Sequence, residues 1–174
     1  PAARGSRPVM KVASSRPVHP LTFACWRKPP AAAVGPPTVG PMDTKSTFIV
    51  TDFSPSDQDL DVETALPTGL AVITKRFSGA VEGHSQALFC SAFDPTHGGT
   101  YVALESFDGL VDGRAGSFSF AHAATTGPSG GRDDAWFRIV AGSGTGELAG
   151  IHGTGDITID DDGTHHLSLT YELG

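Results

Sequence analysis

From residue 46 onward, apolar and polar positions alternate in short runs separated by Gly, Asp, Pro and Ser. Phe118 and Phe120, Ile157 and Ile159, and Leu167, Leu169, Tyr171 and Leu173 each alternate with polar neighbours. This is the period-two signature of a sheet with unlike faces. The pattern predicts eight strands, over residues 46–53, 69–77, 81–93, 100–107, 110–122, 135–140, 148–159 and 166–173. Residues 55–61 form a polar connection, 94–99 a turn cluster and 125–132 a flexible loop. Asp162-Gly163 marks a hairpin, because this dipeptide readily adopts positive φ. No segment sustains a helical period. Eight strands with short links predict an all-β fold, a closed antiparallel barrel, since closure removes exposed edges.

Three segments share the form Gly-x-x-x-Gly with aliphatic residues inside: 79–83, 109–113 and 146–150. Their unequal spacing argues against a repeat array. The glycines are expected to mark bends or bulges where strands turn barrel corners.

Charge divides the chain at the same point as the pattern. Residues 1–41 carry six of the twelve basic residues and no Asp or Glu. Residues 42–174 therefore hold the other six with all nineteen acidic residues, a net charge of −13. An acidic domain repels phosphate backbones, which argues against nucleic acid as a partner. The first segment is rich in Pro and Ala without hydrophobic period, so a disordered basic tail is expected there. Its longest apolar stretch, residues 21–26, is too short for a secretory signal. The chain opens on Pro, and patterned sequence begins at Met42. The expectation is that Met42 starts the native domain and that the upstream residues are foreign to it, ahead of a transit peptide.

Two cysteines, Cys25 and Cys90, make no disulfide framework and suit a reducing compartment. No apolar run reaches the roughly 20 residues of a membrane span. The domain reads as cytoplasmic, with no membrane partner.

Several motifs fail on their chemistry. The Gly-rich stretch 142–155 lacks the Gly-x-Gly-x-x-Gly order that opens a dinucleotide-binding helix. Gly127-Pro128-Ser129-Gly130-Gly131 matches a hydrolase nucleophile pattern, but no helix follows to make the elbow. His165 and His166 are adjacent, so in a strand they face opposite ways and cannot share a metal. Asp160-Asp161-Asp162-Gly163 lacks the flanking acids of a calcium loop. Neither a metal nor a cofactor is expected.

The runs YVALESFDG (101–109), GRAGSF (113–118), AH (121–122), GSGTGELAGI (142–151) and LTYEL (169–173) carry a resemblance. Over nearly all of 42–174 the chain resembles the bacterial family called domain of unknown function 3224. Members resemble the allene oxide cyclase barrel, a lipocalin-like eight-stranded fold shared with plant dirigent proteins. The resemblance implies an interior that binds a small, mostly apolar molecule, in some relatives with cyclisation or isomerisation. It also suggests a homo-oligomer.

The candidate site is a scattered polar set on predicted strands. Tyr101, Glu105 and Phe107 share one face. Arg114, Phe118, Phe120 and His122 share the face of the next strand. Mixed Phe, Arg, Glu and His suit a pocket, and buried charge demands a partner, so Glu105 is expected to pair with Arg114. Glu105 and His122 are candidates for moving a proton, and Arg114 for stabilising an anion. Tyr101, Phe107, Phe118, Phe120, Trp136 and Glu172 are candidates for contacting the ligand. Three functions compete: a barrel that binds an apolar metabolite, a cofactor-independent cyclase or isomerase, and a barrel packed solid that serves only association. The first is preferred.

Overall fold

The computed structural model describes residues 40–58, 60–128 and 131–174. The tail expected over residues 1–41 lies outside them up to residue 39, as do Ser129 and Gly130 of the nucleophile-like pattern.

Eight antiparallel strands close into a barrel in sequence order: β1 (Met42–Pro55), β2 (Thr68–Gly79), β3 (Val81–Asp94), β4 (Gly98–Val111), β5 (Arg114–Thr126), β6 (Arg132–Ile139), β7 (Ile151–Ile159) and β8 (His165–Leu173). β8 returns to pair with β1, with Phe48 opposite His165. The expected all-β barrel is the observed one.

Several boundaries differ from the sequence reading: β1 begins at Met42, and β5 runs on to Thr126 and β6 begins at Arg132, which shortens the loop expected over 125–132. Leu110 and Val111 end β4 rather than opening β5. Asp112 (φ 49) and Gly113 (φ 78) make the hairpin between them, the two successive positive φ angles of the tightest turn type. Leu148 sits in a 3-10 turn, Gly146–Leu148, not at the start of a strand. That turn belongs to a loop that covers the lower part of β5. Val140 N–H donates to the Ser119 carbonyl and Thr145 N–H to that of Ser117, each at 2.8 Å. Leu148, fully buried, plugs this end of the barrel.

The interior has two unlike halves. At the end carrying the tight β2–β3 and β4–β5 turns, Phe77, Phe107, Phe118, Phe120, Ile139 and Leu169 form a dry core. Phe107 and Phe118 centroids lie 5.3 Å apart, and Phe120 stacks on Phe137 at 4.6 Å. Burial of such side chains contributes about 1.5–3 kcal/mol each, which makes this half the anchor of the fold. Gly83 and Gly109 oppose one another in the β3–β4 ladder. A Cβ on either would meet a backbone oxygen of the other strand, at 2.3 Å and 2.1 Å respectively. Both have positive φ, 149° and 156°, so the expected glycine corner is real here. Toward the opposite end the filling thins, and the barrel opens.

Candidate functional site

Glu105 sits at the junction of the two halves. It lies on the inward face of β4, opposite Ala87 on β3 and Phe120 on β5. It is fully buried, so its charge requires partners. Lys75 Nζ of β2 reaches Oε2 at 2.6 Å, and Ser85 Oγ of β3 donates to Oε1. His122 Nε2 of β5 approaches Oε2 at 3.2 Å.

The chain of contacts continues toward the open end. Tyr101 OH lies 3.2 Å from His122 Nδ1, and Arg132 Nη2 donates to Tyr101 OH at 2.7 Å. Arg132 also donates through Nη1 to the Ile157 carbonyl on β7. This link crosses the β6–β7 seam, where the strands share a single bridge, Arg138 with Thr154. One arrangement of protons satisfies every contact. Arg132 donates to the Tyr101 oxygen, Tyr101 donates to Nδ1, and His122 Nε2–H donates to Glu105.

Electrostatics agrees with that arrangement. Burial alone would push the Glu105 carboxyl up. The His122 hydrogen bond, the Lys75 charge and the Ser85 hydroxyl outweigh it and hold the carboxyl below its ordinary range. Burial pushes the His122 imidazole down, and the Lys75 and Arg132 cations add to this against the pull of Glu105. His122 is therefore neutral near pH 7. Burial also raises the Tyr101 phenol, partly offset by Arg132.

Above this network lies a cavity of about 170 Å³. Phe48, Ile73, Ala87 and Ala103 supply apolar wall, while Lys75, His122, Tyr101 and Arg132 present polar groups. It shares Phe89, Tyr101 and Thr126 with an outer hollow of about 350 Å³ at the mouth, bordered also by Phe53 and Phe93. His165 faces the inner cavity, whereas His166 points outward to Asp160 at 2.7 Å, so the two do face apart.

The structure brings three of the sequence candidates together: Tyr101, Glu105 and His122. It separates the others. Arg114 does not pair with Glu105, whose ionic partner is Lys75. Arg114 stands opposite Val111, six residues further along the ladder, about 20 Å from Glu105. There its charge acts on the Tyr171 hydroxyl at the closed end. Phe107, Phe118 and Phe120 belong to the dry core rather than to the cavity wall. Trp136, opposite Ala123, is on the outer surface, and Glu172 is outside as well, 3.9 Å from His152.

Sequence reasoning missed Lys75, Ser85 and Arg132. The first two carried a signal. Ala71, Ile73, Lys75 and Phe77 alternate on one face, as do Val81, Ser85 and Ala87, so a lysine and a serine stood in apolar stripes. Arg132 carried none, because it follows a Gly-rich loop and a register shift in β5–β6 sets where it points.

A half-filled antiparallel barrel with a Lys-Glu-His-Tyr-Arg chain, buried at Lys75, Glu105 and His122, beneath an open cavity is the class of molecule these observations define. The chain belongs to the family described as protein of unknown function DUF3224, whose model matches residues 44–171. A crystal structure of a protein of unknown function from this family, from Shewanella oneidensis MR-1, is 28% identical. That match covers 77% of this chain and 98% of the other, with a TM-score of 0.66. No curated protein matches the chain.

Proposed function

We infer that the domain binds a small organic acid, with its apolar body in the open half of the barrel and its carboxylate toward Lys75 and Arg132. The observation that carries this reading is the charge balance around the cavity. Two cations, Lys75 and Arg132, line it, while the network contains one anion, Glu105. Glu105 already accepts from Lys75, Ser85 and His122. Among the described residues Arg132 has no carboxylate partner, and Lys75 uses one hydrogen bond of the three its ammonium offers. A ligand carboxylate would supply the missing charge, and the Phe- and Ile-lined wall would take the rest. A chamber near 170 Å³ suits a single ring or a short chain, since a cavity of about 150 Å³ holds benzene. The outer hollow leaves room for a longer tail. The family's likeness to the allene oxide cyclase and lipocalin barrels supports interior binding by analogy of fold.

The test is calorimetric titration with benzoate and octanoate against the neutral benzamide and octanamide. The acids should bind at least tenfold more tightly. Arg132→Met should remove that preference while leaving amide binding unchanged, and Ala103→Leu, which fills the chamber, should abolish both. Failure of all four to bind at millimolar concentration would overturn interior binding. Equal affinity for acids and amides would overturn the carboxylate.

A second reading, cofactor-independent isomerisation or cyclisation, draws on the line of proton carriers that ends at the cavity. For His122 to accept a ligand proton, Tyr101 must first release Nδ1, with Glu105 stabilising the imidazolium that forms. Mass spectrometry of ligand recovered after incubation separates the readings: an unchanged compound supports binding alone, a rearranged isomer supports catalysis. The reading of a barrel packed throughout does not suit an interior that is hollow at one end.

A further inference from the structure

The outer face of β2–β5 differs from the rest of the surface. Cross-strand register places Val72, Leu88, Leu104 and Ala121 side by side in one row. The next row is Leu70, Cys90, Val102 and Ala123, extended onto β6 by Trp136. Leu88 is 66% exposed, Val102 51% and Leu104 50%. These positions point out of the barrel; Ala123 is buried, while Leu70 and Ala121 are half-buried.

The flanking rows are polar but uncharged. Thr74, Gln86, Ser106 and Ser119 lie on one side. Thr68, Ala92, Thr100 and Thr125 lie on the other. Within β2–β5 the first ionic residues, Arg76 and Asp108, appear one row beyond, with His84 between them in the register; at the sides Asp52 of β1 stands opposite Thr74, and Arg138 and Asp133 of β6 stand opposite Ala121 and Thr125. Four adjacent rows across four strands thus carry no charge, in a domain whose nineteen acidic residues face only six basic ones. Elsewhere charged residues break up the exterior, as at Asp43, Lys45, Asp156 and Glu172, including the edge where β1 exposes Ile49, Val50 and Phe53.

We propose that this face is where a second copy of the chain docks, sheet on sheet. The charge distribution selects that occupant. Repulsion between two copies of so acidic a domain is least across a face without charge, and an apolar centre with a polar uncharged rim is complementary to itself under a two-fold axis. The area is sufficient. At about 4.8 Å between strands and 6.7 Å between same-face residues, the four rows cover roughly 500 Å² of flat sheet. Counted on both copies this is about 1,000 Å², the lower end for a specific interface, and Trp136 on β6 adds to it. Two sheets so packed would lie about 10 Å apart with interleaved Leu and Val side chains.

Sedimentation equilibrium of the full chain from 1 to 100 μM tests this. The wild type should be a dimer. Leu88→Asp with Leu104→Asp should weaken self-association at least a hundredfold, with an unchanged far-UV circular dichroism spectrum. Ile49→Asp, at an equally exposed position on β1, should leave the dimer intact. A wild type that stays monomeric to 100 μM would overturn the proposal and leave the face to residues 1–39 or to a different protein. An oligomer insensitive to the double substitution, or one broken equally by Ile49→Asp, would overturn it as well.

Discussion

Glu105→Gln removes one charge from the centre of the barrel and almost nothing else. The amide oxygen can take the Oε2 position and still accept from Lys75 and His122, while the amide nitrogen can donate to Ser85 Oγ in place of Oε1. Shape and hydrogen-bond count are kept, so the change reports on charge. Glu105 is fully buried and Lys75 is 5% exposed, which leaves the orphaned ammonium little water to replace its partner. Removing one member of a buried pair costs about 3–5 kcal/mol. For a domain of this size that corresponds to a fall in Tm of roughly 10–20 °C. Lys75→Met on the same background removes the orphan and should restore part of the loss, so the double variant should cost less than the sum of the two single variants by at least about 2 kcal/mol. Urea denaturation of the wild type, both single variants and the double variant, followed by circular dichroism, supplies the four corners of the cycle. A cost below about 1 kcal/mol for Glu105→Gln, or strictly additive single costs, would refute the claim that the pair is a buried, mutually dependent unit.

Acid should loosen the fold in two stages. His122 is held below its ordinary value of 6.5, so the unfolded chain takes the proton first. Its contribution is full above pH 6.5 and is lost as pH falls from there through the depressed folded value; Glu105 follows in the same sense below about 4.5. Melting curves from pH 8 to pH 2 should show both stages, and His122→Gln should flatten the part between pH 7 and 5; an unchanged slope there would refute it. Gly83→Ala and Gly109→Ala should each cost more than about 3 kcal/mol, because a Cβ would sit within 2.3 Å of a backbone oxygen at positive φ. Gly113→Ala, with open space around it, should cost only about 1–2 kcal/mol, and equal losses at all three sites would show that the close approach is not what requires glycine. Leu148→Ala should destabilise by about 2–5 kcal/mol if the loop plugs the closed end, and a loss under 1 kcal/mol would show that it does not.

Which side chains face into the barrel was largely written in the sequence. Period-two alternation is a local property, so Phe118, Phe120 and His122 could be placed on one face from their spacing alone, and Asp162-Gly163 could be read as a hairpin. The same signal at Asp112-Gly113 is weaker, because Leu110 and Val111 continue the apolar run on its near side and blur the boundary. Tyr101, Glu105 and His122 were legible for the same reason: each is polar on an otherwise apolar face.

What alternation could not settle was depth along the barrel and partnership across it. Arg114 and His122 share a face, yet they lie at opposite ends of β5, one at the closed end and one at the cavity. Lys75 is thirty residues from Glu105 in sequence and 2.6 Å away in space. Only the register of β2 on β3 and of β3 on β4 brings them together. Arg132 reaches Tyr101 and β7 only because the ring closes beside it. A strand's own residues dictate which way each side chain points; which charges meet is decided by strands far apart in the chain, because closing the sheet fixes every neighbour at once.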